Sequence, residues 1–184
     1  MGLLVLGLFI FIAIHLFPAF QSRRSVLIER LGALKYKGLF SLVSLASFAL
    51  ILIGKANAPF IDVWQPPQML AVVTKLLMLP AMILLVAAYI PSNLKRKVRH
   101  PMLIAVKVWA ICHLLINGDL ASMVLFGSFL AFAVLAMISA NKRMEWNKPK
   151  EQSMLMDVLV ILIGGAVYAG VGMHHLQLFG VPIM

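Results

Sequence analysis

Six long apolar stretches, separated by short polar segments, dominate the pattern of the chain. They run over residues 2–20, 38–54, 67–90, 101–118, 119–140 and 154–176. A helix needs about 20 residues to cross a bilayer, so the pattern predicts an all-α bundle of about six membrane-spanning helices. The second and fourth stretches are short and would need tilt or local thinning of the bilayer. Between the fourth and fifth lies only Asn117-Gly118-Asp119, a turn signal that predicts a helical hairpin.

Composition places the whole chain, residues 1–184, in one transmembrane domain. Hydrophobic residues make up 62% and charged residues 12%, and the mean hydropathy is +1.00. Soluble domains have about 45–50% apolar and about 25% charged residues, so a soluble globular fold is excluded, as is disorder. The single cysteine, Cys112, excludes an intrachain disulfide framework. The first stretch lacks a basic leader and is expected to stay as a span rather than act as a signal peptide.

The basic residues predict an orientation in the membrane. The net charge is +10, and 13 of the 16 Lys and Arg residues fall in the alternate segments 21–37, 91–100 and 141–153. The positive-inside rule places these segments in the cytoplasm and both termini outside. Because orientation explains the charge, no nucleic-acid partner is predicted.

The first basic segment has two interpretations. Leu27, Leu31 and Leu34 recur there at helical spacing among the cations. A short helix lying on anionic membrane lipid explains this pattern, and a solvated loop with scattered leucines explains it equally well.

Two histidines inside the spans are the leading candidates for chemistry. His15 lies towards the predicted cytoplasmic end of the first stretch, and His113 lies about twelve residues into the fourth. Ionisable side chains within a membrane are costly and usually face the bundle interior, where they are functional candidates by default. Neutral imidazole ligates haem iron, and bundle interiors hold cofactors between facing helices. A metal site at His15 and His113 is therefore predicted, with interhelical hydrogen bonding as the structural alternative.

Two neighbours share the face of His113, one turn away on either side. Asn117 either hydrogen-bonds the imidazole or caps the helix, and capping is favoured. Trp109 either flanks a cofactor or packs in the bundle. Both are retained as candidate cofactor-binding residues.

Other ionisable residues have structural explanations. Lys75 and Lys107 lie within spans and are expected to extend to the membrane surface. His100 precedes a proline at a helix entry. His174 and His175 lie near the end of the last stretch, where an interfacial position accounts for them.

The residues around His113 resemble the signature of the NnrU family. The resemblance is carried by Arg99-His100-Pro101-Met102-Leu103, Trp109 and His113-Leu114-Leu115-Ile116-Asn117-Gly118-Asp119-Leu120. A looser likeness in the first half is carried by His15, Arg23-Arg24, Gly32, Tyr36 and Gly38. Together they cover nearly the whole chain.

The resemblance implies a small multi-pass protein of the bacterial inner membrane that binds haem b. Bacterial members of the family are associated with denitrification, through nitrite and nitric oxide reductase activity, and plant relatives are 15-cis-zeta-carotene isomerases that carry haem b. The ligands of the plant enzymes fall on a histidine of the first helix and on one that follows a His-Pro pair by thirteen residues. His15 and His113 match these positions.

Two classes of function therefore remain at this point, and no catalytic residue is assigned. The first is a haem b protein that either serves a nitric oxide reductase system or isomerises an apolar polyene. The second is a non-enzymatic scaffold or assembly factor with structural histidines. A transporter is disfavoured, because paired broken helices are missing and Asp157 lies near a span end. The two histidines differ in predicted depth, so joint ligation needs offset helices, and ligation by one alone stays open.

Overall fold

The computed structural model describes residues 1–180, and most of them are helical. The helices are α1 (Gly2–Leu16), α2 (Gln21–Leu31), α3 (Ala33–Ala56), α4 (Met69–Ala87), α5 (Asn93–Lys97), α6 (Pro101–Ile116), α7 (Leu120–Arg143), α8 (Met154–Met173) and α9 (His175–Phe179). A 3-10 turn, Phe17–Ala19, joins α1 to α2. Within residues 1–180 there is no β-strand. The predicted helical membrane bundle is confirmed.

The lengths of the helices decide which of them can cross a bilayer. Five are long and apolar enough: α1 with its 3-10 extension, α3, α4, α7 and α8. Helix α6 is apolar but has only 16 residues, about 24 Å of rise, and is shorter than these five. Five of the six predicted spans are therefore supported by helix length, and a membrane crossing by α6 stays a prediction. The prediction of a short second span is wrong, because α3 has 24 residues. Lys35 and Lys37 lie near its start and interrupt the apolar pattern but not the helix, since long cationic side chains can reach the membrane surface.

The long helices pack in the order α3, α1, α7, α6, α4 and α8. Helices α1 and α3 approach closely because glycine lines their contact. A Cβ built on Gly54 would lie 2.3 Å from the backbone nitrogen of Leu4. Backbones can come this close only where a side chain is missing. The packing brings α1 and α6, which carry the two candidate histidines, against the same central helix, α7.

The three basic segments lie at one end of the bundle, called here the basic end. Arg143 Nη1 donates to the carbonyl oxygen of Pro18 at 3.1 Å, and Arg96 pairs with Glu151 at 2.9 Å. These contacts connect the segment after α1, the segment after α4 and the segment after α7. The opposite end contains residues 57–68 and the turn 117–119, and is called the hairpin end. The predicted separation of charge is thus confirmed, and its assignment to the cytoplasm stays a prediction.

The first basic segment forms two helices instead of one. Helix α2 ends before Gly32, whose φ of +80° turns the chain into α3. Leu27 and Leu31 lie in α2, whereas Leu34 belongs to α3. The predicted short helix is confirmed, but its extension through Leu34 is wrong, because only glycine readily adopts this positive φ and the helix ends there.

Candidate functional site

Helix α7 carries a ridge of three phenylalanines that positions the site. Phe126, Phe129 and Phe132 follow one another at intervals of three residues, so they lie along one side of the helix. Phe126 contacts the ring of His113, and Phe132 contacts the ring of His15. The phenylalanine ridge therefore links the two candidate histidines.

His113 is held by its own helix and by the ridge. Its Nδ1 lies 2.9 Å from the carbonyl oxygen of Trp109, one turn earlier. Its ring centroid lies 4.5 Å from that of Phe126 and 5.1 Å from that of Trp109. A carbonyl oxygen can only accept, so Nδ1 of the neutral imidazole carries the proton and Nε2 keeps its lone pair. This tautomer leaves Nε2 free to bind a metal.

His15 has the same arrangement on α1. Its Nδ1 lies 2.7 Å from the carbonyl oxygen of Phe11, and its ring stacks on that of Phe11 with centroids 4.0 Å apart. Phe40 of α3 and Phe132 of α7 contact the ring from the side, at 5.3 and 6.0 Å. The neutral imidazole again keeps its lone pair on Nε2. Neither Nδ1 bond crosses between helices, so these bonds are not the interhelical contacts of the structural alternative.

An aromatic row connects the two histidines. From His15 it passes through Phe11, Phe129 and Trp109 to His113, with successive ring centroids 4.0, 5.5, 5.5 and 5.1 Å apart. The ridge residues that the two histidines contact are six positions apart on α7, about 9 Å of helix rise. The histidines therefore lie at different levels, as their positions in the spans predict. Their role as shared ligands of one iron stays a prediction.

The two neighbours of His113 have separate roles. Asn117 Nδ2 donates to the backbone carbonyl oxygen of His113 at 2.8 Å, and the backbone nitrogen of Asn117 donates to the same oxygen. Asn117 thus caps α6, as favoured from the sequence, and leaves the imidazole to Trp109. Trp109 supplies both the carbonyl that fixes His113 and an aromatic wall, because its ring also contacts Phe126 and Phe129.

The donor set suits a metal that brings ligands of its own. Within residues 1–180 there is no group of three or more His, Cys, Asp or Glu side chains that would enclose a bare ion. A porphyrin supplies four nitrogens to its iron and needs only one or two axial ligands from the protein. Separate imidazoles with free Nε2 atoms, among aromatic side chains, fit that requirement.

The hairpin end contains a clamp that the sequence did not reveal. Lys55 Nζ lies 2.8 Å from Asp119 Oδ1, which also accepts from the backbone nitrogen of Ser122 at 2.9 Å. The carbonyl oxygen of Gly118 accepts from the backbone nitrogen of Val63 at 2.9 Å. This clamp fixes the turn that follows Asn117, one helical turn beyond His113. Lys55 was the available signal, because it is the lone cation in its segment.

Asp119 stays ionised at neutral pH within this clamp. It precedes α7 and is nearly buried. Burial acts to raise its pKa, but the hydrogen bonds from Lys55 and Ser122 outweigh burial and hold the pKa below its ordinary value. The carboxylate is therefore a permanent cap for the N-terminus of α7.

Comparison with known proteins identifies the family. The NnrU protein family model matches residues 3–183. The chain belongs to the NnrU family. No curated protein and no solved structure matches the chain. The family supports a multi-pass membrane protein, in agreement with the helices described above.

The other histidines of this NnrU chain, and Asp157, lie at or near the ends of helices. His100 is the residue before α6, and its Nε2 lies 2.9 Å from Asn141 Oδ1, so its position at a helix entry is confirmed. His174 ends α8 and His175 begins α9. Asp157 accepts from the backbone and side-chain nitrogens of Asn93 at 2.8 Å, which joins α8 to α5. The extension of Lys75 and Lys107 to the membrane surface stays a prediction.

Proposed function

We propose that this protein binds haem b within the membrane through His113 and His15, and that it serves nitrite and nitric oxide reduction. The observation that carries the proposal is that both imidazoles are held in the same tautomer. Each imidazole donates a hydrogen bond from Nδ1 to the carbonyl oxygen one turn earlier, at 2.9 and 2.7 Å. The lone pair of Nε2 is therefore available to a metal. Membership of the NnrU family, with the haem b that the resemblance implies, supports the same cofactor.

The protein's own groups would bind and orient the cofactor. The carbonyl oxygens of Trp109 and Phe11 hold the imidazoles in one tautomer and one rotation, which raises their basicity as ligands. The phenylalanine ridge packs against both rings, and Trp109 packs against that of His113. When bound, the haem supplies an iron centre that can pass electrons or bind a small ligand such as nitric oxide. Ligation by one histidine, with the other serving a substrate or a proton, is the alternative form of the proposal.

A second candidate function rests on a groove between α1 and α7. It has a volume of about 310 Å³ and is lined by Val5, Leu8, Phe9, Ile12, Ala13, Val124 and Ser128. All but Ser128 are apolar, and Phe9 is 71% exposed, so the groove suits a hydrocarbon that enters sideways from the bilayer. It borders the two helices that carry His15 and the phenylalanine ridge. This favours the haem-dependent isomerisation of an apolar polyene as the runner-up.

Haem content is the measurement that tests the proposal. Protein from haem-replete cells is purified in detergent, and haem is quantified by the pyridine haemochrome method and by reduced-minus-oxidised spectra. We expect haem b in the purified protein, and lower occupancy in both His113→Ala and His15→Ala. His174→Ala is the matched control and should keep full occupancy.

Three results would contradict parts of this proposal. If the purified protein contains no haem, the proposed cofactor is refuted and the scaffold or assembly role remains. Full occupancy in His113→Ala would refute the assignment of that ligand. With haem present, a deletion strain that consumes nitrite and nitric oxide normally would argue against the denitrification role. Conversion of a cis-polyene by the purified protein would then establish the isomerase.

A further inference from the structure

The α2–α3 corner concentrates cations that form no ion pair within residues 1–180. The corner is defined as residues 20–37, and its five cations are all exposed: Arg23, Arg24, Arg30, Lys35 and Lys37. The same residues include one acid, Glu29. Among residues 1–180, none of the five forms an ion pair. At the same end of the bundle Arg96 does so with Glu151, so this end is able to pair cations but leaves the corner unpaired.

Helix α2 presents two distinct faces. Leu27 and Ile28 are half-buried, and α2 packs against α3. Arg23, Val26 and Arg30 follow one another at i, i+3 and i+7, so they share a different face, which is exposed. Cations and an apolar side chain thus alternate on the surface that points away from the bundle. This pattern is typical of a helix that lies at a membrane surface.

Exposed apolar side chains flank the cations on both sides. Phe20 is 59% exposed before α2, and Leu34 is 84% exposed after it. Val26 is 48% exposed between Arg23 and Arg30. Exposed apolar side chains would contribute nothing to a surface that binds the phosphate of a soluble partner. At the surface of a bilayer they can insert among acyl chains while the cations stay at the headgroups.

The α2–α3 corner is held in a defined conformation by contacts between its two helices. The guanidinium carbon of Arg24 lies 5.9 Å from the centre of the Tyr36 ring, which holds α2 against the first turn of α3. Gly32, with its positive φ, makes the sharp bend between the two helices. The corner adjoins the N-terminal end of α3, one of the five helices long and apolar enough to cross a membrane, and this end is expected at the lipid headgroups.

We propose that the α2–α3 corner binds the phosphate headgroup of an anionic phospholipid, with Arg23 and Arg30 as the principal contacts. Charge complementarity identifies the occupant, because five unpaired cations beside one acid attract an anion. The apolar neighbours select a lipid over a free phosphate. The site is independent of the proposed haem function and lies away from both candidate histidines.

Lipid retention by the full chain in detergent tests this proposal. The protein is titrated with phosphatidylglycerol or with phosphatidylcholine of the same acyl chains, and bound lipid is counted by native mass spectrometry. We expect at least one phosphatidylglycerol to bind more tightly than phosphatidylcholine. The Arg23→Gln/Arg30→Gln variant should raise the Kd for phosphatidylglycerol about 25-fold, because each cation near an anionic headgroup contributes about fivefold. Arg23→Lys/Arg30→Lys should keep most of the affinity.

The matched control removes the same charge from another segment of the basic end. Lys148 and Lys150 are exposed, and Lys148→Gln/Lys150→Gln should change the Kd less than twofold. Circular dichroism confirms that each variant is folded. Equal losses in the two glutamine variants would overturn the site in favour of diffuse attraction. Equal retention of the two lipids, or displacement of the lipid by millimolar inorganic phosphate, would overturn it as well.

Discussion

The two ends of the bundle differ in whether their charged side chains are paired within the protein. At the hairpin end, the nearly buried Asp119 is paired with Lys55 and caps a helix. At the basic end, 13 of the 16 cations lie together, yet among residues 1–180 only Arg96 forms an ion pair there, with Glu151, which is 78% exposed. Buried charges must be paired within the protein, whereas exposed ones can be left for water or lipid. The hairpin end is therefore stabilised by its own contacts, and the basic end is available to other molecules.

The two candidate histidines lie near different ends of the bundle. His113 lies one turn before Asn117, which caps α6 beside the clamp, so the end of the helix that carries His113 depends on the hairpin end. His15 lies near the basic end, where the chain leaves α1 through a short 3-10 turn. We expect changes at the clamp to disturb ligation by His113 before they disturb ligation by His15.

The largest effect is expected from a methyl group at Gly118. A Cβ there would lie 1.7 Å from the carbonyl oxygen of Trp64, a backbone atom that cannot rotate away. Gly118→Ala should therefore lower the free energy of unfolding by more than about 3 kcal/mol, or prevent folding, because the clamp must separate. Denaturation in detergent, followed by circular dichroism, measures the change.

Gly127→Ala is the matched control for that substitution. Gly127 lies within α7, and a Cβ there meets no atom within 4 Å. Alanine is favoured over glycine inside a helix by about 1 kcal/mol, so this variant should be as stable as the parent or more stable. A Gly118→Ala protein that unfolds like the parent would show that the clamp does not hold the turn.

Removal of the clamp's carboxylate is expected to have the next largest effect. Asp119→Ala eliminates the partner of Lys55 and the cap of α7, and should lower the free energy of unfolding by about 2–3 kcal/mol. Glu151→Ala breaks the exposed pair at the basic end and should cost less than about 0.5 kcal/mol. The same unfolding assay compares them. Similar losses in the two variants would remove the distinction between the ends.

Low pH should destabilise the hairpin end, because it protonates the Asp119 carboxylate. The pKa of folded Asp119 is below its ordinary value, mainly because of Lys55 and Ser122 and despite burial. Its contribution to stability is therefore present above the pKa of the unfolded chain, and is lost as the pH falls through the folded pKa. Thermal unfolding between pH 6 and pH 3 should show a falling Tm. In Asp119→Asn the fall should be smaller, and an identical pH profile would contradict the role of Asp119.

The sequence predicted those features that depend on local pattern. The apolar periodicity predicts the spans, the turn at Gly118 follows from residue type, and His15 and His113 stand out because charge is costly in a membrane. Long-range partners were not predicted. Lys55 meets Asp119 across 64 residues, and nothing near Lys55 in the chain specifies that contact.

The phenylalanine ridge was missed for a related reason. Phe126, Phe129 and Phe132 recur at a spacing that is visible in the sequence. An apolar helix in lipid can direct such a row towards the bilayer or towards the bundle, because both surroundings are apolar. Only the packing of α1 and α6 against α7 decides this and brings the row against the two histidines.

Among the main variants, as distinct from their controls, the smallest effect is expected at Tyr36, a buried polar side chain at the basic end. Its hydroxyl is buried and finds no hydrogen-bond partner among residues 1–180. Tyr36→Phe removes that unsatisfied group and keeps the ring beneath Arg24, so it should raise the free energy of unfolding by about 1 kcal/mol. Tyr168→Phe is the matched control, since it deletes a bond of 3.1 Å to the carbonyl oxygen of Lys75 and should lower stability by about 0.5–1 kcal/mol. A loss of stability in Tyr36→Phe would mean that an acceptor outside the protein satisfies the hydroxyl, which would make the contrast between the two ends sharper still.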